Sequence, residues 1–417
     1  MRCELKSCKI WRLAASVLLC CGIIAASAFS PRDALNYRSP ELDPANSKLL
    51  AAKTMLSAKS IGIGSLLSAD RRDPNNYYAL TLHYQQDPVA VIQARQSIAQ
   101  AKDEYLSLQR SGIHDALRAH ADLWNAQARV QAARARLDAA QLAKAEAQRK
   151  RDIGAAGDLD VEATSIDLTD AELAMREAAK SLVTAKTNSK NYGLTGDAAQ
   201  EVLRFALPAA TPEDAADYRN LKWNLDVAKE RRSAAAREIK PGLGLDLNYV
   251  GANYTMSSSM STRTRTVDVQ AGYPSIYNDP SVLLWGQGWQ KTLRVELPID
   301  FTAWANARAT KAEVALTQAQ LVRQKETLVI KLAQSRTTAE SAAERMDVAC
   351  QRLTLADRKA RLADARFKSG AISQIALLNE QAAFSDAQAN YADAWKNYIE
   401  ATAAYLELIG GKWEEMP

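Results

Sequence analysis

The sequence predicts a mainly α-helical protein with a small β part, in which one unit is used twice. Three observations lead there. The chain matches itself at a fixed offset of 216 residues, two stretches of sixty-odd residues keep a seven-residue apolar rule, and short stretches before them alternate apolar with polar residues. At the 216-residue offset, Lys150, Gly154, Leu159, Val161, Leu168, Ala171, Ala178 and Ala185 fall on Arg366, Gly370, Ile375, Leu377, Phe384, Ala387, Ala394 and Ala401. Upstream the offset is 213, pairing Leu80, Leu82, Arg95 and Ala99 with Leu293, Val295, Arg308 and Ala312. An internal duplication therefore sets the domain plan: a leader over 1–28, a first repeat over 29–193, a connector over 194–210, a second repeat over 211–410 and a tail over 411–417.

The leader reads as an export signal. Arg2, Lys6, Lys9 and Arg12 form a basic start, Leu13 to Ala25 an apolar run too short to span a bilayer, and Ala26-Ser27-Ala28 an A-x-A cleavage site. Cys20 and Cys21 raise lipid modification, but Leu19 stands where a small residue should precede a lipidated Cys20. Without these residues the net charge of +5 loses four basic residues and Glu4 and becomes about +2, no footprint for nucleic acid. Cys350 alone remains beyond the leader, so packing rather than disulfides must stabilise the fold.

Each repeat opens with a short helix. Ser39-Pro40-Glu41 and Thr211-Pro212-Glu213 both set a hydroxyl cap before a proline at the first helical position. Strands are expected next. Leu243, Leu245, Leu247 and Tyr249 alternate with Gly244, Asp246 and Asn248, and Leu293, Val295 and Leu297 with Arg294 and Glu296. In the first repeat Ile61 and Ile63, then Tyr78, Leu80, Leu82 and Tyr84, carry a weaker version. Such alternation fits a half-buried soluble sheet and a membrane barrel equally.

Long helices follow, from near Asp87 to Ile153 and from near Phe301 to Ser369, each roughly 100 Å at 1.5 Å per residue. Leu123, Ala126, Val130, Ala133, Leu137 and Ala140 in one, and Ala339, Ala342, Met346, Ala349, Leu353, Ala356, Ala360 and Ala363 in the other, keep the 3.5-residue period of a coiled-coil seam. After Gly154 and Gly370 the chain reverses into return helices of about 35 residues, whose seams run Val161, Leu168, Met175, Leu182 and Leu377, Phe384, Tyr391, Tyr398, Tyr405. The two glycines are thus the tips of two antiparallel hairpins, with the strands at the opposite end.

Catalytic chemistry is absent from the pattern. His114 and His120 lie about 240° apart on one helix and His83 is on a strand, so no metal pair forms, and neither a phosphate loop nor a nucleophile elbow occurs. No enzyme, cofactor or metal site is expected.

The stretches RFKSGAISQIALLNEQAAFSDAQANY (366–391), KRDIGAAGDLDVEATSIDLTDAELAM (150–175), SPELDPANSKLL (39–50) and LRVELPIDFTAWANARATKAEVALTQAQ (293–320) resemble the outer membrane efflux protein family, the TolC-like channels of tripartite export systems. The resemblance implies a homotrimer in the outer membrane. Each protomer would give four strands to a shared twelve-stranded β-barrel and its helices to an α-helical barrel in the periplasm. The partners implied are a periplasmic adaptor, through it an inner-membrane pump, and outer-membrane lipid.

On that reading Gly154, Leu159, Val161, Gly370, Ser373 and Ile375 form the adaptor-docking tips. Asp158, Asp160, Ile372, Ala376 and Asn379 occupy the periplasmic gate, and Asp246, Arg294 and Glu296 face the barrel lumen. The gate departs from the family pattern, because Ala376 and Asn379 stand where acids are usual and Ile372 where an arginine is. Closure by packing and an Asn379 ring is the expectation. For Asp158 and Asp160 a helix N-terminus that favours acids is an equal account. The segment around 255–290 is expected to extend the strands outward or to plug the barrel mouth. A non-conducting tether between envelope layers, built on the same rods, is the alternative function.

Overall fold

The computed structural model describes residues 29–61, 63–70, 77–85, 87–250, 255–263, 266–273, 288–296 and 301–413. The first repeat runs α1 (Pro31–Leu35), α2 (Leu42–Ile61), β1 (Ile63–Asp70), β2 (Tyr77–Gln85), α3 (Pro88–Asp152) and α4 (Asp158–Asn191). After the connector and a single 3-10 turn at Pro212–Asp214, the second runs α5 (Ala216–Glu238), β3 (Gly242–Val250), β4 (Thr255–Ser261), β5 (Thr266–Tyr273), β6 (Gly288–Glu296), α6 (Phe301–Lys368) and α7 (Gln374–Ile409).

The long helices begin and end within a residue or two of their expected places, because their start and stop signals are local. Asp87 caps α3 by accepting from the Ala90 amide with Pro88 at the first helical position, and the glycine tips stop both rods. Two starts shift. Ser39 and Pro40 form a turn in which the Leu42 amide donates to the Ser39 carbonyl, so α2 begins at Leu42, and Thr211 caps the 3-10 turn rather than α5. Ile61 is the last residue of α2 and not part of a strand. Leu297 lies outside the described residues.

All four expected strands are present and antiparallel, and two more join them. The sheet has the order β1-β2-β5-β4-β3-β6. The added pair, β4 and β5, comes from the 255–290 segment, of which 264–265 and 274–287 lie outside the described residues. It forms a hairpin between the sheet halves of the two repeats.

α3 packs on both α4 and α7, and α6 on α7. The heptad seams therefore hold each hairpin together, while the α3–α7 contact binds the hairpins side by side. A ladder of ion pairs crosses that contact: Arg118–Glu400 at 3.6 Å, Lys396–Asp122 at 2.7 Å, Arg129–Asp393 at 3.1 Å, and Arg136–Asp386. Residue numbers rise on α3 as they fall on α7, so the two helices are antiparallel.

The main core is a belt midway along the rods. Leu117, Leu123, Trp124, Trp395, Ile399 and Leu406 are fully enclosed there, with Phe29, Phe205 and Trp413 packed against them. The connector is bolted to α7 by its aromatic side chains. The Trp395 indole donates to the Leu203 carbonyl at 3.2 Å. The Tyr398 hydroxyl accepts from the Phe205 amide and donates to its carbonyl, and the Tyr405 hydroxyl donates to Pro208 at 2.7 Å. Aromatic residues at heptad positions of the return helix thus recruit a chain segment that has no secondary structure of its own.

Candidate channel wall and helix tips

Two regions carry the candidate site residues. The first is the sheet. Register pairs Leu243 with Val295, Leu245 with both Leu293 and Met260, and Tyr249 with both Trp289 and Met256, so these residues share one face. Six of them, Leu243, Met256, Met260, Trp289, Leu293 and Val295, are 41–71% exposed. Lys291 and Ser258, both opposite Leu247, interrupt this face; it is otherwise apolar and uncovered by any other described element, which matches a hydrocarbon neighbour. Near its outer end the Tyr249 and Trp289 rings meet at 5.2 Å, as aromatic pairs do at a membrane interface. Phe301 and Trp304, both exposed, open α6 at the inner end.

The opposite face is polar. Gly244, Asp246 and Asn248 alternate with the leucines of β3, and Thr292 and Arg294 oppose them on β6. Arg294 and Asp246 form an ion pair, which holds the two strands together diagonally across this face. Glu296 takes the register position opposite Gly242, two residues along from Arg294. Asp246, Arg294 and Glu296 therefore fall on one face, as the alternation requires.

The second region is the pair of tips. Gly154 and Gly370 adopt φ of +72° and +75°. At each, the glycine amide donates three residues back, to Arg151 or Phe367, and the next alanine amide donates five back, to Lys150 or Arg366. This twice-used reversal satisfies the last helical carbonyls and demands a left-handed residue at the glycine. The return helices are then capped differently. Asp160 accepts from the Gly157 amide at 2.9 Å, and Ser373 accepts from the Ala376 amide at 3.3 Å. Of the candidates, Asp160 and Ser373 are thus already engaged in closing helix ends, and Asp158 faces Arg151 at 3.9 Å within its own tip. Leu159, 80% exposed, and the neighbouring Ile153, 79% exposed, make the first tip apolar at its surface. Val161, Ile372, Ile375 and Ala376 are half-buried, and Asn379 is exposed.

A model of the outer membrane efflux protein family matches residues 213–411. The match covers just under half of the chain, so it is the second repeat that is similar to that family. The matched stretch is the second repeat, from the 3-10 turn to just past the end of α7. Solved channels are similar over nearly the whole chain. The Campylobacter jejuni CmeC outer membrane channel is 15% identical, with a TM-score of 0.56 over 92% of this chain and 85% of that one. The outer membrane protein VceC of Vibrio cholerae is 16% identical, with a TM-score of 0.55 over 92% and 95%. The outer-membrane channel OprN is 17% identical, with a TM-score of 0.57 over 92% and 89%. At these identities the likeness establishes the fold. No curated protein matches the sequence.

The periodicity of the sequence does not reveal the belt. His120, whose spacing from His114 makes no metal pair, is fully enclosed, edge-on to Phe29 at 5.1 Å and to Trp395 at 5.4 Å, and burial lowers its pKa to about 4. The signal lay in the aromatics themselves: Trp124 and Trp395 are large residues amid alanine-rich helices, Trp413 follows the last of them, and together they mark where the rods thicken. Among the described residues no cluster could hold a metal ion and no helix is long and apolar enough to cross a membrane, a statement that does not bear on the sheet.

Proposed function

We propose that this protein is the outer-membrane exit duct of a tripartite efflux or type I secretion system, passing substrate across the periplasm and outer membrane without catalysis. The observation that carries the reading is a single sheet with one exposed apolar face and a polar opposite face, standing on helical rods of about 100 Å. In one copy β1 and β6 are unpaired edges. A sheet in lipid has to satisfy every backbone group, so the edges require further copies, and the family's architecture makes that number three.

In this assembly the apolar face meets lipid, while the face with Asp246, Arg294 and Glu296 lines the lumen. The apolar surface at Ile153 and Leu159, with Val161, Gly154, Gly370, Ser373 and Ile375, is the surface that receives a periplasmic adaptor and, through it, an inner-membrane pump. Ile372, Ala376 and Asn379 supply closure at the tips without a second carboxylate ring. Asp160 supports the tip by capping, and Asp158 by its pairing with Arg151.

The test combines fractionation with conductance. The protein should be recovered from outer membranes as a trimer, conduct in planar bilayers, and on deletion cause cells to retain a compound or protein they normally export. A monomer in the soluble periplasmic fraction would overturn the assignment. A membrane trimer that passes no current even when the tips are loosened at Asn379 would support the tether instead.

A further inference from the structure

We propose that the β4–β5 hairpin is part of the channel wall, so that three copies close an eighteen-stranded barrel in which β6 of one copy pairs with β1 of the next. The proposal rests on the trimeric duct described above and changes its width and its joint.

The hairpin occupies the seat where the two repeats would otherwise meet. β5 pairs with β2 from Tyr78↔Tyr273 to Gln85↔Thr266, and β4 pairs with β3 from Gly244↔Ser261 to Val250↔Thr255. β5 pairs with all but the first residue of β2, and β4 with all but the first two of β3. A plug folded into the mouth would leave β2 and β3 as partners, whereas here they never pair.

The hairpin also keeps the two-faced pattern of the sheet except at Ser258, which shares the apolar face with Leu247 and Val269. Met256 and Met260 are exposed on the face of Leu243 and Leu293, while Ser257, Ser259 and Ser261 take the face of Asp246. On β5, Val267 and Val269 pair with Met260 and Ser258, and Asp268 and Gln270 pair with Ser259 and Ser257. A segment in the aqueous mouth would have no reason to keep one face apolar in register with its neighbours. On the helix side β4 and β5 are joined by four residues, 262–265, and Thr262 both donates to and accepts from the backbone of Leu243. On the far side the link from β5 to β6 is longer, at 274–287, while that from β3 to β4, at 251–254, is as short as the inner one.

The free edges fit each other. β1 leaves α2 and runs outward, and β6 runs inward to α6, so β6 of one copy lies antiparallel to β1 of the next. Circumference agrees as well. Four helices of each copy, α2, α3, α5 and α6, join the sheet. Twelve such helices at about 9 Å spacing span about 110 Å. Eighteen strands about 4.8 Å apart and tilted by about 40° also span about 110 Å, against about 75 Å for twelve. Six strands per copy therefore meet the helical barrel without a taper.

The experiment is cysteine chemistry in the full-length protein carrying Cys350→Ser, in outer-membrane vesicles. Ser257→Cys, Ser259→Cys and Gln270→Cys should react with a charged, water-soluble methanethiosulfonate. Met256→Cys and Met260→Cys should lose that reactivity and take an apolar maleimide instead. The pair Leu82→Cys with Val269→Cys, opposed in register, should form a disulfide within one chain. Ser65→Cys combined in turn with Lys291→Cys, Leu293→Cys and Val295→Cys should give a disulfide between chains in one of the three pairings. Water-soluble labelling of both faces of β4, or absence of the 82–269 disulfide in protein that is trimeric in the membrane, would overturn the wall. Absence of the edge disulfide in all three pairings would overturn the β6–β1 joint. Recovery of monomer in the soluble fraction would instead overturn the duct itself, so the two failures are distinct.

Discussion

Two kinds of residue make sharp predictions here, one through backbone and one through burial. At Gly370 an added Cβ would meet no atom within 4 Å, so the cost of Gly370→Ala comes entirely from holding an L-residue at φ +75°. That cost is about 1 kcal/mol, and Gly370→Asn should recover part of it, because asparagine tolerates the left-handed region. Thermal unfolding followed by helical circular dichroism checks both. His120 acts through burial. Desolvation, the largest cause, holds its folded-state pKa at about 4 against an ordinary value of 6.5, outweighing the opposing backbone interaction with Phe29 and the distant Asp33. Between those two pH values the unfolded chain takes a proton that the folded chain refuses. Stability should therefore be constant on this account above pH 6.5, fall as pH drops towards 4, and level off below it. The loss is on the order of 3 kcal/mol. Denaturant titrations from pH 7 to pH 4 should show this slope in the natural protein and a flatter one in His120→Phe.

The elements owe their boundaries to signals local in sequence and their partners to signals that are not. The caps and glycine reversals of α3, α4, α6 and α7 were legible because each acts within a few residues, and the 216-residue duplication located them twice over. Ser373→Ala should lower stability by about 1 kcal/mol and increase hydrogen exchange in the first turn of α7, which the hydroxyl now closes. The α3–α7 contact was not legible, because heptads state that a seam exists without naming the partner helix. Its ion-pair ladder is exposed and holds little free energy, so its value lies in fixing register. A double-mutant cycle on Arg136 and Asp386, with Arg136→Ala and Asp386→Ala, should return a coupling of no more than about 1 kcal/mol in unfolding experiments. The belt escaped notice for a related reason: Phe29, Phe205 and Trp413 lie in segments with no periodicity and reach His120, Trp395 and Tyr398 only through the tertiary fold. The β4–β5 hairpin escaped because Thr255-Met-Ser-Ser-Ser-Met-Ser261 has only two large apolar residues, and its strand character appears once β3 stands beside it.

At the scale of the whole molecule, the width of the duct should follow the number of strands each copy contributes. Removing residues 255–273 takes out β4 and β5 and leaves β3 and β6 joined on the outer side, as the adjacent antiparallel partners they already are. β2 runs inward and β3 outward, so the two can then pair directly, and three shortened copies can still close a twelve-stranded barrel. Barrel diameter grows roughly in proportion to strand number, so the lumen backbone should shrink to about two-thirds of its former diameter. The helices below are unchanged, and the junction must then taper. Conductance alone would mix this change with any constriction at the tips. The suited measurement is polymer exclusion from the outer side, where polyethylene glycols of increasing size are added to that face of a bilayer and the largest that enters is recorded. The shortened protein should remain trimeric and admit only smaller polymers. An unchanged or larger cut-off would mean that the hairpin had stood in the opening rather than in its wall.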